Sequence, residues 1–385
     1  MRVVFTAWAW PSHIYALVPL AWACRSAGHE VLFASEPAAL PDIARTGLPS
    51  VAVGADVDTV ALVRQYLDPG HRPGRTPGRP RALEMVAAHA ESMVDGLTAL
   101  TRRWRADVVV SDPTTLAGPL AAAAAGVPAV RHLFGTDLMV RDSGALRDVL
   151  ERVAARFGVD PCDPMGAVTL DPVPPALRIP TGYQRLPIRW MSFNGGGAVP
   201  PDTGGTGGRP AVCVTWGYTM ARLDPARFLA GEIARALGAL GADVLVAVSA
   251  AQAGLLGPLP RNTRVVHDAP LHHVLGGCDV VVAHGGAGTI LTSLAHGLPL
   301  LLVPQLPDHR AHAERLAAGG AGLVLDRDGA TPDAVRAAVG RLLAEEEPQA
   351  AARTLQQEIH RMPAPSAVVP ELELIAAGDN RRALS

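Results

Sequence analysis

The chain has 385 residues, a formal net charge of −2 and 49% hydrophobic residues. That length suits two domains of ordinary size. The near-neutral balance offers no general attraction to nucleic acid or anionic lipid, and no apolar run is long enough to span a membrane. All 34 basic residues are arginine, which rules out lysine Schiff-base chemistry.

From the amino terminus, Val3–Thr6 predicts a β-branched strand. The apolar start follows a single arginine and breaks at Pro11 and His13, so it reads as a strand and not a signal peptide. A loop, Ala7–Ser12, leads to a helix from His13 to Ala27, closed by Gly28-His29, and Glu30–Ala34 forms the next strand. This strand–helix–strand spacing predicts a parallel, right-handed crossover. Tyr66–Pro80, dense in Pro, Gly and Arg, reads as a loop. It lacks the aromatic interleaving of a nucleic-acid patch. Helix Ala82–Trp104 precedes a valine-rich central strand, Asp107–Val110. Ser111–Thr115 caps the following helix, Val127–Arg131 is another strand, and helix Ser143–Phe157 with the proline-rich Asp171–Pro187 closes the first half.

Asn194–Arg209 is the clearest change of composition, and its Gly and Pro content reads as an interdomain linker. The strand–helix pattern then restarts with Ala211–Thr215, Pro225–Leu240, Asp243–Val248 and Thr263–His267. It continues through Asp279–Ala283, a glycine-rich turn with its helix, Leu300–Val303, Ala311–Ala318 and Gly322–Leu325, and ends in helices Pro332–Glu345 and Pro348–Met362. The expected plan is α/β, with two Rossmann-like domains at 1–193 and 210–365 facing across a cleft, and a terminal helix within 366–385 recrossing to the first. Ligands of open α/β sheets bind beyond the carboxyl ends of the strands.

The run His284-Gly285-Gly286-Ala287-Gly288-Thr289 leaves the strand Val280–Ala283 and enters a helix expected over Ile290–His296. Three glycines around one small residue let backbone approach a ligand, and a helix start offers unpaired N–H groups to an anion, most often a phosphate. The run is neither a Walker loop, since no lysine is present, nor a dinucleotide fingerprint, whose glycine spacing differs. His13 admits two readings: a cap histidine facing solvent, or a base oriented by Asp112 at the end of the Asp107–Val110 strand. Asp56 and Asp58, an Asp-x-Asp pair, lie in a loop without neighbouring ligands, and His272-His273 reads as a solvent-facing helix start, so no metal is expected. Cys24, Cys162, Cys213 and Cys278 lack metal-ligand spacing and read as buried free thiols of a reducing cytosol.

The stretch from Asp268-Ala269-Pro270-Leu271 through Cys278-Asp279, His284–Thr289, Gly297-Leu298-Pro299, Pro304-Gln305, Asp308 and Gly319–Gly322 resembles the donor-binding region of GT-B glycosyltransferases. It is most similar to the actinobacterial enzymes that move deoxysugars from nucleotide diphosphates onto polyketide and related antibiotic aglycones. The resemblance extends along the whole chain, including His13 after Pro11-Ser12 and the ending Glu358–Pro363. It implies an inverting transferase in which His13, oriented by Asp112, deprotonates the acceptor. It implies that the amides of Gly285, Gly286, Ala287, Gly288 and Thr289, with His284, hold the diphosphate. Trp216, Gly217 and Thr219 join the donor set, Ala269 and Pro270 read the pyrimidine, and Asp308 and His309 meet the sugar. His309 departs from the Gln or Asn usual in the family, and Tyr218 stands where relatives have Thr or Ser. Ser12, Phe134 and Asp137 are acceptor-side candidates, Asp137 being the runner-up base or a helix cap. No cofactor is implied. The co-substrate is a nucleotide diphosphate sugar, dTDP favoured over UDP, and the partners are small molecules in the cytoplasm, with no nucleic acid or membrane; a homodimer is allowed. The alternatives are a carbon-directed transferase using Asp137, a nucleotide-sugar epimerase, and a non-catalytic homologue supporting a partner enzyme.

Overall fold

The computed structural model describes residues 1–67, 81–158, 160, 162–199 and 208–379, so most of the 66–80 loop and part of the 194–209 linker lie outside the described residues. The chain forms two compact units. The first comprises 1–172, 179–191 and 362–385, and the second comprises 173–178 and 192–361.

The first unit holds a parallel sheet of seven strands among the described residues: β1 (Arg2–Thr6), β2 (Glu30–Ser35), β3 (Ser50–Ala52), β4 (Val108–Ser111), β5 (Ala129–His132), β6 (Val168–Asp171) and β7 (Arg185–Pro187). Their spatial order is β3-β2-β1-β4-β5-β6-β7. β3, β6 and β7 are absent from the sequence reading; each is three or four residues long, and prolines flank or end all of them. Val108, Val109 and Val110 are wholly buried, as continuous apolar runs are in parallel sheets covered on both faces. Burying one such side chain is worth about 1.5–3 kcal/mol. The long helix Arg81–Trp104 packs Val86, Ala90, Met93 and Leu97 into the same core as Val4, Val109 and the helix Ala117–Ala125. The terminal helix Pro365–Ala376 belongs to this unit.

The second unit holds six parallel strands among the described residues: β8 (Ala211–Thr215), β9 (Asp243–Val248), β10 (Thr263–His267), β11 (Val280–Ala283), β12 (Leu300–Leu302) and β13 (Gly322–Val324). Their order is β10-β9-β8-β11-β12-β13. Three of the helices read from the sequence shift by three or more residues, and Thr219–Leu223 and Ala250–Ala253 are short helices absent from that reading. Residues 225–240 give only a 3-10 turn and the helix Ala230–Leu237. The glycine-turn helix begins at Ala287 and not Ile290. The next helix begins at Pro307, whose fixed φ suits a first helical position, and not at Ala311. Segment 173–178, expected in the first half, groups with the second unit because Arg315 donates to the carbonyls of Leu177 and Arg178. No helix among the described residues is long and apolar enough to cross a membrane.

Both sheets follow the doubly wound order, in which connections from two adjacent central strands depart to opposite faces and leave a crevice at the carboxyl edge. In the first unit those strands are β1 and β4, with Thr6 beside Ser111. In the second they are β8 and β11, with Thr215 beside Ala283.

The close approach of helix and strand at the first crevice gives a stability test. A Cβ on Gly118 would lie 2.5 Å from the Ser111 Cβ, whereas one on Gly144, at the start of helix Ser143–Phe157, would meet nothing within 4 Å. Gly118→Ala is expected to cost about 1–3 kcal/mol by overpacking. Gly144→Ala is expected to be neutral or to stabilise by up to about 1 kcal/mol. Thermal denaturation of both variants checks the contrast.

Candidate active site

At the first crevice, β1 runs into Ala7–Trp10 and the helix Pro11–Ser26, so His13 lies in that helix's first turn. It is buried at 8% exposure, against the solvent-facing alternative. Its Nδ1 lies 3.2 Å from Asp112 Oδ1, on the segment that leaves β4. The same nitrogen accepts from the Trp8 indole N–H at 2.8 Å and meets Thr114 Oγ1 at 3.2 Å. Asp112 is held in turn by the Thr114 amide at 2.8 Å and by the hydroxyls of Thr114 and Thr115. Burial alone would raise the Asp112 carboxyl, but the adjoining His13 imidazole and the hydrogen bonds donated by Thr114 and Thr115 keep it below the usual carboxylate range. The Phe134 ring lies 4.1 Å from the imidazole, centroid to centroid. Ser12, one residue before His13, is exposed.

Asp137 is not a free carboxylate. Arg131 grips both of its oxygens, at 2.8 and 2.7 Å, and the Tyr183 hydroxyl donates to one of them. Burial opposes its ionisation, but the Arg131 hydrogen bonds and charge outweigh it and keep the carboxyl low. A carboxylate so saturated is a poor base, and it is not a helix cap either, because its partners are side chains. Asp56 and Asp58 likewise accept from the amides of Ala38 and Ala61. Among the described residues no group of three or more His, Cys, Asp or Glu side chains is arranged to hold a metal ion.

At the second crevice, β8 runs into Trp216-Gly217 and β11 into His284-Gly285-Gly286. The His284 imidazole lies between two glycines: a Cβ on Gly217 would fall 2.8 Å from its Cε1, and one on Gly286 2.7 Å from its Nε2. Gly217 also has a φ of +60°, and Gly285, at +98°, would press a Cβ within 3.0 Å of His309. Glycine is needed at these turns for both reasons. Gly286 is the N-cap of helix Ala287–Ala295 and has no side chain to cap it. The amides of Ala287, Gly288 and Thr289 are therefore first-turn groups without intrahelical acceptors.

His284 and His309 are buried at 5% exposure each, their rings 4.8 Å apart and edge to face. The Nδ1 atoms of both lack a hydrogen-bond partner among the described residues. Burial, with the charge of His309, depresses the His284 pKa. Burial also depresses that of His309, against the opposing pull of the neighbouring Asp308 carboxylate. Unpaired amides beside unpaired buried imidazoles form a recess suited to an anion with several acceptor oxygens. Asp308, more than half exposed, stands in the first turn of helix Pro307–Ala318.

The remaining donor-side candidates separate by burial. Trp216 is a core residue: its indole is fully buried and donates to the Arg227 carbonyl at 2.7 Å. Only its backbone is left to meet a ligand. Thr219 opens the short helix Thr219–Leu223 and is half-buried. Ala269 and Pro270 follow β10, three strand positions from β11, a span of about 14 Å along the carboxyl edge. His272 does not simply face solvent; its Nδ1 lies 3.0 Å from Asn194 Oδ1, and burial pushes its pKa down to about 4. Sequence reasoning missed Gln252, whose Nε2 donates to the Gly217 carbonyl at 2.6 Å while Gln252 and Ser249 cap a short helix reciprocally. The Ser-x-x-Gln spacing of a capping box was the available signal.

Two doubly wound parallel sheets in one chain, each with polar residues gathered at its central crevice, are the plan of the GT-B glycosyltransferases, and similarity to known proteins identifies that class. The N-terminal and C-terminal domain models of erythromycin biosynthesis protein CIII-like proteins match residues 22–217 and 232–375. The chain belongs to that family of glycosyltransferases. It is 34% identical to 10-deoxymethynolide desosaminyltransferase of Streptomyces venezuelae, over 99% of this chain and 98% of the relative. It is 35% identical to TDP-daunosamine transferase DnrS of Streptomyces peucetius, over 98% and 97%. The glycosyltransferase VinC, solved in complex with dTDP, matches with a TM-score of 0.82 at 34% identity, covering 98% of this chain and 100% of VinC.

Buried histidines make the fold acid-sensitive. Burial pushes His132, at the end of β5, from an ordinary 6.5 down to about 4. Unfolded, it protonates near its ordinary value, so below that pH the unfolded chain binds the extra proton and stability falls. The loss from this one group grows between pH 6.5 and about 4 and reaches about 3 kcal/mol. His132→Gln is expected to flatten the fall in melting temperature over that range. Parallel curves for variant and wild type would remove the effect from His132.

Proposed function

We propose that this enzyme transfers a deoxysugar from a dTDP donor to a polyketide-type aglycone with inversion at the anomeric carbon. The second unit binds the nucleotide sugar, and the first binds the aglycone. The observation that carries the reading is the buried His13–Asp112 contact at the carboxyl edge of β1 and β4. An aglycone hydroxyl has a pKa well above neutrality and needs a base as it attacks. Its oxygen bonds to the anomeric carbon, its proton passes to His13 Nε2, and the carbon–oxygen bond to the diphosphate breaks. Asp112 stabilises the imidazolium formed.

The leaving diphosphate gathers charge as that bond breaks. First-turn amides at Ala287–Thr289, the helix dipole and the His284 ring supply preoriented dipoles for it. No metal is required in this scheme. Ala269 and Pro270 border the base and Asp308 and His309 the sugar. Thymidine is favoured because VinC was solved with dTDP and a similar enzyme is named for a TDP-sugar. A desosaminyltransferase acting on 10-deoxymethynolide supports the polyketide class of acceptor. A carbon-directed reaction through Asp137 gains no support, since Arg131 and Tyr183 occupy that carboxylate.

His13→Ala is expected to lower transfer by about 10²–10⁴-fold while dTDP affinity by calorimetry stays within about twofold of wild type, as unchanged binding loses no binding free energy. Unchanged turnover would remove His13 from the chemistry. Gly286→Ala, which drives a Cβ to 2.7 Å from His284 Nε2, is expected to do the reverse. Loss of one charge-assisted contact weakens dTDP binding by about 10–100-fold. Undiminished affinity in that variant would move the diphosphate elsewhere.

A further inference from the structure

We propose that Trp8 sets the tautomer of His13 and keeps the base disarmed in the resting enzyme. An indole nitrogen only donates, and Trp8 Nε1 points its hydrogen at His13 Nδ1 over 2.8 Å. Nδ1 must then present a lone pair, and a neutral imidazole carries its proton on Nε2. That tautomer cannot accept a proton from an acceptor hydroxyl. The active tautomer needs the reverse, with Nδ1–H donated to Asp112 Oδ1, already within 3.2 Å. Exchange between them moves one proton from Nε2 to Nδ1 through solvent, with no net uptake. The contact passes from Trp8 to Asp112, and Trp8 is a positioning residue. The inference rests on His13 being the base.

The direction of the indole is fixed by groups the transfer chemistry does not use. Its ring meets His89 edge to face at 4.2 Å and stacks on Trp10 at 5.7 Å. His89 Nδ1 lies 2.7 Å from Glu36 Oε1, and His89 Nε2 lies 3.0 Å from Thr59 Oγ1. Glu36 also accepts from the Ala9 amide at 2.9 Å, and the Trp8 amide donates to Thr115 Oγ1 at 3.1 Å. Glu36 and His89 are buried at 0% and 1% exposure, an expensive arrangement unless fully paired. Here it holds the turn before His13 in one conformation.

Disarming matters because the donor is itself reactive toward water. A permanently available His13 Nε2 would take a proton from water as its oxygen bonded to the anomeric carbon and the bond to the diphosphate broke, hydrolysing the donor. Phe134, against the imidazole, is where an entering aglycone would shift the ring toward Asp112.

Nitrogen-15 spectra of histidine-labelled enzyme test the inference, with His13→Ala identifying the His13 signals. In the wild type without acceptor, Nδ1 is expected to show the unprotonated signature and Nε2 the protonated one. Trp8→Phe, which keeps a ring and removes the N–H, is expected to move the tautomer ratio toward Nδ1–H by about fivefold, the equivalent of one hydrogen bond of about 1 kcal/mol. The variant should also hydrolyse the dTDP-sugar faster than wild type when no acceptor is present. A protonated Nδ1 in the wild type, or a ratio or hydrolysis rate unmoved in Trp8→Phe, would overturn the proposal. The wild-type spectrum needs no detectable transfer, so its failure is distinct from failure of the base assignment tested by turnover of His13→Ala.

Discussion

Parallel pairing of two adjacent central strands, whose following segments leave toward opposite faces of the sheet, is the constraint on which both candidate sites depend. Register places Thr6 beside Ser111 in one sheet and Thr215 beside Ala283 in the other. The segments that follow have nowhere to go but the two walls of a crevice. In the first unit those walls carry His13 and Asp112, and in the second Gly217 and His284. Valine-rich cores beneath, buried on both faces, hold the strand ends rigid enough to keep side chains from distant parts of the chain in contact. His13 and Asp112 are 99 positions apart in sequence and need no loop of their own to meet.

The two crevices are filled differently, and the difference is chemical. The first gathers a carboxylate, two threonine hydroxyls and an imidazole, groups that orient and move a proton. The second is built instead from backbone and buried histidine, with the Asp308 carboxylate 3.9 Å from the His309 ring. It offers first-turn amides, neutral imidazoles and glycines that leave the space open. Neutral dipoles suit a diphosphate that must be held while it leaves and released afterwards; fixed cations would retain the product more tightly. Keeping His284 and His309 uncharged has a cost in acid, since burial that suppresses their protonation also makes low pH favour the unfolded chain.

Much of this is legible in the sequence. Continuous valines announce β4 and β11, and the glycine run announces the turn after β11, because backbone approach and a helix start each leave a compositional mark. β3, β6 and β7 escape because three- and four-residue strands beside prolines carry no period. The sequence reading sets the helix starts at Ala287 and Pro307 too late, since glycine and proline read as breakers where they serve as N-cap and first helical residue. At the sites, sequence can pair His13 with Asp112 but cannot show Trp8 competing for the same nitrogen, or Arg131 and Tyr183 consuming Asp137. Those are contacts between side chains brought together only by packing. Trp216 shows the same limit, since an aromatic after a strand reads equally as ligand platform or as core.

The central claim, inverting sugar transfer, is tested most directly by the stereochemistry of the product. Incubation with dTDP-deoxysugars of known anomeric configuration and a panel of polyketide aglycones, followed by nuclear magnetic resonance of the isolated glycoside, reads the configuration at the new bond. The account predicts a glycoside whose anomeric configuration is opposite to that of the donor. A product that retains the donor's configuration would contradict it, because a single displacement from the face opposite the departing diphosphate cannot give that result.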